Sequence, residues 1–365
     1  MRVAGEKARM ADLTRLLPEG AGDQRRTGLA DRIAGRVGWI AGLAGDEEAW
    51  ATWNEGQRDA DLLVDEVVAL ALTRLLRDSG VDAGVFDSAE GFVAELAGTA
   101  GIPGVVLGQT QEFESVDHTR ASVALRFPGS RVWDLPFLAH ELGHHAVRQL
   151  PHGEPALRDQ RPLADVVTEV RDSLVQLGQP AGRADAHANE LVADALATIS
   201  CGPTYPIACL CLRVPVDGRG NRASETHPSW TDRVAATGLA LDELSDRTGL
   251  ARYRQQRSDL VDPLAAAVLG SVPVASPAAA QAAERTVAAV CRHRPGVVYR
   301  DADLGIDVAD RLRQRKPGPP DGATIGSVLD GAWRWRLARA EPEGEDEVAR
   351  LVVDYCRRIC SGGDR

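Results

Sequence analysis

Lysine is nearly absent from this chain of 365 residues. Only Lys7 and Lys316 occur, and almost all of the positive charge comes from arginine. Neither lysine follows a glycine, so the chain has no Walker A phosphate-binding loop. It also has no G-x-G-x-x-G stretch and no G-x-S-x-G stretch, which argues against a dinucleotide-binding protein and against a serine hydrolase.

Long apolar runs and excess positive charge are missing as well. The longest apolar stretch, Leu62–Leu76, is interrupted by Asp65, Glu66 and Arg74, whereas a membrane span needs about 20 mostly uncharged residues. Met1–Leu17 lacks the apolar core of a secretory signal. The net charge of −11 disfavours nonspecific binding to nucleic acid or to anionic lipid. We therefore expect a soluble, cytoplasmic protein without a membrane span.

Cysteine is too sparse for a disulfide framework in a chain of this length. The expectation is free and mostly buried thiols. The pairs Cys209/Cys211 and Cys356/Cys360 lack nearby histidines or a second matched pair, which makes them poor evidence for a metal or redox site.

Helical periodicity dominates the sequence, and short strands are expected only near its middle. Asp61–Arg77 carries a broad apolar stripe typical of a helix. Gly101–Gln109 and Ala121–Phe127 are short, rich in Val, Ile and Phe, and bounded by turn residues, which favours strands. From Asp134, a plausible N-cap, the period becomes helical again, with Pro136 in the first turn.

Two further helices are predicted downstream, one over Ala186–Ser200 with Asp185 as its cap and one starting near Pro228. The predicted fold is α+β and mostly helical. Its core, residues 101–248, would combine a small sheet with two functional helices. Helical regions over 1–100 and 249–365 would flank it.

The segment His140-Glu141-Leu142-Gly143-His144 fits the pattern H-E-x-x-H. Positions i and i+4 of a helix share a face, so His140 and His144 can aim two imidazole nitrogens at one zinc ion. Glu141 is turned about 100° around the helix axis. Its carboxylate can therefore take a proton from water beside the metal without being a ligand.

A zinc hydrolase usually needs a third protein ligand. Glu190 and Asp194 are also four residues apart on a predicted helix, among small apolar residues. Buried carboxylates need partners, and a metal for Glu190 and an imidazole N–H for Asp194 would supply them. His187, three residues before Glu190, is a rival third ligand.

These motifs resemble the gluzincin metallopeptidases, in which a glutamate is the third zinc ligand. The segment Thr226-His227-Pro228-Ser229-Trp230-Thr231-Asp232-Arg233 is similar to the T-H-P-x-x-x-x-R segment of HtpX-like and CAAX-prenyl-type endopeptidases. The likeness covers roughly residues 120 to 245. Those peptidases carry transmembrane helices around their catalytic region, and this chain has none of that pattern.

The resemblance implies a role for each matching residue. The zinc ligands would be His140, His144 and Glu190, and the general base would be Glu141. Asp194 would be the partner of a ligand histidine. His227 would stabilise the oxyanion, with Arg233 as a supporting charge.

The predicted function is a soluble zinc metalloendopeptidase with a restricted peptide or protein substrate. By analogy with gluzincins, Ala121–Phe127 could be the edge strand on which an extended peptide pairs. Two alternatives stay open: a catalytically idle zincin-like module that binds a partner, and a hydrolase dedicated to one small modified peptide.

Overall fold

The chain divides into two compact units. One comprises Met1–Ala83 with Gly108–Thr110, and the other comprises Gly84–Leu107 with Gln111–Arg365. The computed structural model describes residues 30–35, 38, 84–102, 106–111, 115–117, 122–126, 131–150, 160–215, 221–339 and 344–361. The helix expected over Asp61–Arg77 lies outside these residues. The division into 1–100, 101–248 and 249–365 stays a prediction.

The second unit is built from helices and contains every residue of the candidate site. Its helices up to residue 248 are α1 (Val85–Ala100), α2 (Pro136–Gln149), α3 (Pro162–Gln176), α4 (Ala181–Cys201), α5 (Thr204–Leu212) and α6 (Trp230–Thr248). The later ones are α7 (Arg252–Gln256), α8 (Asp262–Leu269), α9 (Pro277–His293), α10 (Ala302–Arg313), α11 (Ile325–Leu337) and α12 (Glu345–Cys360). Short 3₁₀ turns occur at Val132–Asp134 and Pro295–Val297, and a π-helical segment at Arg257–Val261 joins α7 to α8.

The expected α+β class is wrong, because the described residues are mostly helical and the fold is all-α overall. Within the part of the chain that the structure describes, strand is confined to three short segments, β1 (Val106–Gln111), β2 (Ser115–Asp117) and β3 (Ser122–Arg126). The Val- and Ile-containing segments near residue 110 are too short to form a layer. Alanine-rich helices provide the core instead.

The strand order is β1-β3-β2, and β2 pairs antiparallel with β3, with Val116 opposite Val123. The strand within Ala121–Phe127 is therefore the middle strand and not an edge. A middle strand has both of its hydrogen-bonding sides occupied, so it cannot pair with an extended peptide as expected.

Helix α4 is the centre of the unit and packs against α2, α3, α6 and α9. Every residue from Glu190 to Cys201 is buried, so this part of the helix is enclosed on all sides. Most of its side chains are small or aliphatic, which lets the neighbouring helices approach closely. Glu190 and Asp194 are thus carboxylates in the interior, where an unpaired charge is costly.

Local signals in the sequence explain where the functional helices begin and end. Pro136 occupies the first turn of α2, where its missing N–H costs nothing, although Leu135 and not Asp134 is the cap residue. Helix α4 begins earlier than expected, after Pro180, and ends at Cys201, with Gly202 as its C-cap residue. Ser229 caps α6 by accepting a hydrogen bond from the Asp232 amide.

All six cysteines are free, as expected. The expectation that most of them are buried is wrong, because only Cys201, Cys209 and Cys356 are buried, whereas Cys291 is half-buried and Cys211 and Cys360 are exposed. Among the described helices, none is both long enough and apolar enough to cross a bilayer.

Candidate metal centre

His140 and His144 lie on one face of α2 with their imidazole nitrogens turned toward each other. Their Nε2 atoms are 3.1 Å apart, and the two ring planes meet at 83°. The i, i+4 spacing produces this arrangement, because residues four apart are neighbours on a helix surface.

Glu190 of α4 brings a carboxylate to the two imidazoles. Its Oε2 lies 3.3 Å from His140 Nε2, and its Oε1 lies 3.3 Å from His144 Nε2. The candidate ligand atoms of these three residues all lie within 4.8 Å of one another. The cluster, which we call the triad, can hold a metal ion.

Gly143 allows the two helices that carry the triad to come together. A Cβ atom at this position would lie 3.0 Å from Ala193 Cα and 3.2 Å from Ala193 O. Such distances to backbone are shorter than nearly all real Cβ contacts, so only glycine fits here without moving α4. The glycine inside H-E-L-G-H is therefore a packing residue that sets the distance from the histidines to Glu190.

The triad has the unsatisfied polar atoms expected of a metal site. Glu190 Oε2 is buried and makes no hydrogen bond, although Arg233 Nη2 lies at an ion-pair distance of 3.3 Å. The His140 Nδ1 atom faces a carboxylate, which favours a proton on Nδ1 and leaves the Nε2 lone pair directed at the triad. A cation between the three groups would bind both Glu190 Oε2 and the lone pair of His140 Nε2.

Behind His140, a buried network holds the imidazole in place. Asp194 Oδ1 lies 2.9 Å from His140 Nδ1. The Tyr205 hydroxyl donates to the same oxygen at 2.5 Å and lies 3.1 Å from His140 Nδ1. Arg233 donates two hydrogen bonds of 2.7 Å to the Asp194 carboxylate through Nε and Nη2. Both oxygens of this buried carboxylate are thus satisfied, as burial of a charge requires.

Opposite charges outweigh burial throughout this network. Burial raises the pKa of Asp194, but the Arg233 guanidinium and His140 lower it to about 2. Burial also raises the pKa of Glu190, but His140, His144 and Arg233 hold it well below its usual range. Burial by itself lowers the pKa of His140, but the carboxylates of Asp194 and Glu190 raise it to about 10. Without a metal, His140 is therefore protonated at neutral pH.

The triad opens into a cleft of about 540 Å³. Glu141 lines this cleft next to His140. Its side chain is partly exposed, in contrast to the buried Glu190. The two glutamates therefore lie in different environments, one reachable by water and one enclosed with the histidines.

His227 reaches the same cleft from the loop before α6. Its Nε2 lies 3.7 Å from Glu190 Oε1, its side chain is 54% exposed, and its Nδ1 lies 2.8 Å from Thr226 Oγ1. Arg233, in contrast, is buried against Asp194 and Glu190. The resemblance gives a role to two residues of the T-H-P segment, His227 and Arg233. Of these two, only His227 is accessible to a bound molecule.

His187 does not belong to the triad. It is buried, and its Nε2 lies 2.9 Å from the Ser224 carbonyl oxygen. The rival assignment of His187 as the third ligand has no support from this geometry. The side chain instead attaches α4 to the loop that carries His227.

Sequence reasoning missed Tyr205. Its ring is stacked nearly parallel to that of His140, with 5.9 Å between centroids, and it is almost fully buried. The segment Gly202-Pro203 predicts a helix break just before it, but nothing in the sequence connects this tyrosine with the histidines.

No family model matches the chain, and comparison with curated proteins and with solved structures finds no match either. The function of this chain therefore has to be inferred from the geometry of the site.

Proposed function

We propose that this protein is a zinc-dependent metalloendopeptidase with a restricted substrate. The observation that carries the proposal is the convergence of His140, His144 and Glu190. Zinc bonds of 2.0–2.1 Å in a tetrahedral site correspond to ligand separations of about 3.3 Å. The nearest distances between the triad atoms, 3.1, 3.3 and 3.3 Å, agree with that value.

The chemistry of the donors also supports zinc. Two imidazole nitrogens and one carboxylate form the His₂Glu set of catalytic zinc sites, which leaves one position for water or substrate. A zinc ion held there supplies Lewis acidity and lowers the pKa of a water molecule to about 7.

Several residues of the chain would each have a separate role in hydrolysis. Glu141 takes a proton from the attacking water and returns it to the leaving amine. When the Thr226 hydroxyl donates to His227 Nδ1, the ring proton is on Nε2, and it can donate to the carbonyl oxygen as negative charge develops. Asp194 holds the His140 ring in position, and Tyr205 and Arg233 hold Asp194.

The proposal is tested by a peptide-library digest followed by mass spectrometry, together with elemental analysis of the purified protein. We expect wild-type protein to contain zinc and to cleave a narrow set of peptides, and a chelator to abolish cleavage reversibly. Glu141→Gln should keep its zinc but lose roughly 10²- to 10⁴-fold in rate, the usual contribution of a general base. Glu190→Ala should lose the metal.

Glu169→Gln serves as the matched control, because Glu169 is an exposed residue of α3 outside the cleft. It should cleave like wild type. Full activity of Glu141→Gln, or activity that persists in chelated protein, would contradict the proposal. Zinc binding without any cleavage would favour the idle binding module instead.

A further inference from the structure

The cleft carries positive charge from two separate segments, although the protein as a whole is acidic. Among the residues that line the cleft are Arg213 and Arg222. The whole chain has 53 acidic residues against 42 basic ones. Two arginines that line a candidate active site in an acidic protein point to a role in binding a negatively charged group.

Arg213 is held against α2, the helix that carries the proposed base. It follows α5, and its guanidinium carbon lies 4.3 Å from the centre of the Phe137 ring. Phe137 and Glu141 are four residues apart on α2, so they lie on the same face about one turn from each other. The cation–π contact therefore holds the Arg213 guanidinium against the face of α2 that also carries Glu141.

Arg222 lines the cleft from the loop before α6, which is anchored at several points. The neighbouring Asn221 exchanges hydrogen bonds of 2.7–3.0 Å with Thr231 at the start of α6. Ser224 accepts a hydrogen bond from the His227 amide at 2.9 Å and is itself held by His187. These contacts give the backbone beside Arg222 a defined position relative to the triad.

The third arginine of the cleft has a different role. Arg233 makes two hydrogen bonds to Asp194 and lies 3.3 Å from Glu190, so its charge is neutralised inside the protein. Arg213 and Arg222 line the same cleft as the triad. Guanidinium groups bind carboxylates with paired, charge-assisted hydrogen bonds, which makes them selective for that group.

We infer that Arg213 and Arg222 form a carboxylate-binding subsite and that the substrates are acidic peptides. This inference rests on the proposed function, because it assigns a substrate class to the same cleft. The carboxylate belongs either to an Asp or Glu side chain or to a free peptide C-terminus.

Calorimetric binding to the zinc-loaded full chain carrying Glu141→Gln tests this inference without interference from cleavage. The probes are alanine-based octapeptides blocked at both ends, with one glutamate placed at each position in turn, and their glutamine counterparts. A third set has a free C-terminus in place of the amide and separates the two sources of the carboxylate. We expect one carboxylate-containing set to bind at least about tenfold more tightly than its neutral counterpart.

Arg213→Gln and Arg222→Gln should each reduce that preference severalfold, and Arg213→Lys should retain part of it. Arg292→Gln removes the same charge from an exposed position of α9 that does not line the cleft, and it should leave the preference unchanged. Equal affinity for acidic and neutral peptides, no measurable binding, or a preference that survives in both arginine variants would overturn the inference.

The two proposals fail in different ways. Cleavage of library peptides by wild-type protein, without preference for acidic sequences, would contradict the carboxylate-binding subsite but agree with the proposed peptidase activity. An arginine-dependent preference for acidic peptides in binding, without any cleavage by wild-type protein, would support the subsite and sink the peptidase.

Discussion

At the scale of single residues, the centre depends on how completely each buried polar atom is partnered. Asp194 is acceptable in the interior because Tyr205, Arg233 and His140 together satisfy its two oxygens. Tyr205 is the neutral member of this group. Its hydroxyl can be removed without leaving an unpaired charge, which makes it the sharpest probe of the network.

Tyr205→Phe should weaken zinc binding by about 10- to 100-fold, the usual effect of losing a group that orients a ligand imidazole. The ring that stacks on His140 is preserved, so the loss reports the hydroxyl alone. Competition with a chromophoric chelator measures the affinity.

Tyr253→Phe is the matched control. The Tyr253 hydroxyl is also buried, but it donates to the Tyr299 carbonyl oxygen outside the cleft. The Tyr253→Phe substitution should lower the free energy of unfolding by about 1 kcal/mol and leave zinc affinity unchanged. If both variants bound zinc like wild type, the Tyr205 hydroxyl would have no part in positioning His140.

At the scale of helices, the separation of α2 and α4 sets the geometry of the triad. Gly143 touches the backbone of α4 at Ala193, which lies three residues after Glu190 and directly before Asp194. Any side chain at Gly143 must push the helices apart. That movement separates Glu190 from the histidines.

Gly143→Ala should therefore destabilise the protein by about 1–3 kcal/mol, although alanine is the better helix former. Zinc affinity should fall roughly tenfold or more, because the third ligand moves away from the other two. Urea unfolding of the metal-free protein and chelator competition measure the two effects.

Gly98→Ala tests the same substitution where space is available. Gly98 is an exposed residue of α1, and a Cβ there would have nothing within 4 Å. We expect this variant to gain roughly 0.5–1 kcal/mol from helix propensity. A stable Gly143→Ala protein with unchanged zinc affinity would refute the packing role of this glycine.

At the scale of the whole molecule, the buried charges make stability depend on pH. The pKa of Asp194 in the folded state, about 2, lies below its unfolded value of 3.8, and the pKa of Glu190 is also lowered. These groups stabilise the fold above about pH 4, and the contribution is lost as the pH falls toward 2. The pKa of His140 is raised from 6.5 to about 10, so its contribution is complete below pH 6.5 and is lost as the pH rises toward 10.

Metal-free protein should thus be most stable between about pH 4 and 6.5. Its free energy of unfolding should fall by about 2 kcal/mol toward pH 2 from Asp194 alone, and on the order of 3 kcal/mol between pH 6.5 and 9 from His140. Urea unfolding at a series of pH values, in the presence of chelator, measures both the acid and the alkaline loss of stability.

Zinc-loaded protein is the control, because a zinc-bound imidazole is neutral and cannot take a second proton at the nitrogen that binds the metal. The alkaline loss of stability should disappear when zinc is saturating. If the free energy of unfolding of chelated protein did not change between pH 6.5 and 9, the carboxylates of Asp194 and Glu190 would not be keeping His140 protonated.

The helical pattern of the sequence was enough to predict much of the local structure. The helical periodicity predicted α2 and most of α4 correctly. The short runs rich in Val, Ile and Phe predicted strands near residues 106 and 122. The prediction overestimated the importance of those strands. Apolar β-branched runs are visible in sequence, whereas a core made of small alanine side chains depends on helix packing that no local pattern records.

The sequence by itself determined that His140 and His144 share one face of a helix, because their spacing and the helical repeat leave no other arrangement. Only the tertiary structure decided that Glu190 and not His187 meets them, that Tyr205 joins Asp194 behind the site, and that Arg213 and Arg222 line the same cleft. Contacts within one helix follow from its geometry. Contacts between segments 46 residues apart in the chain, such as His144 and Glu190, depend on how α2 and α4 pack, and that is set by the whole core.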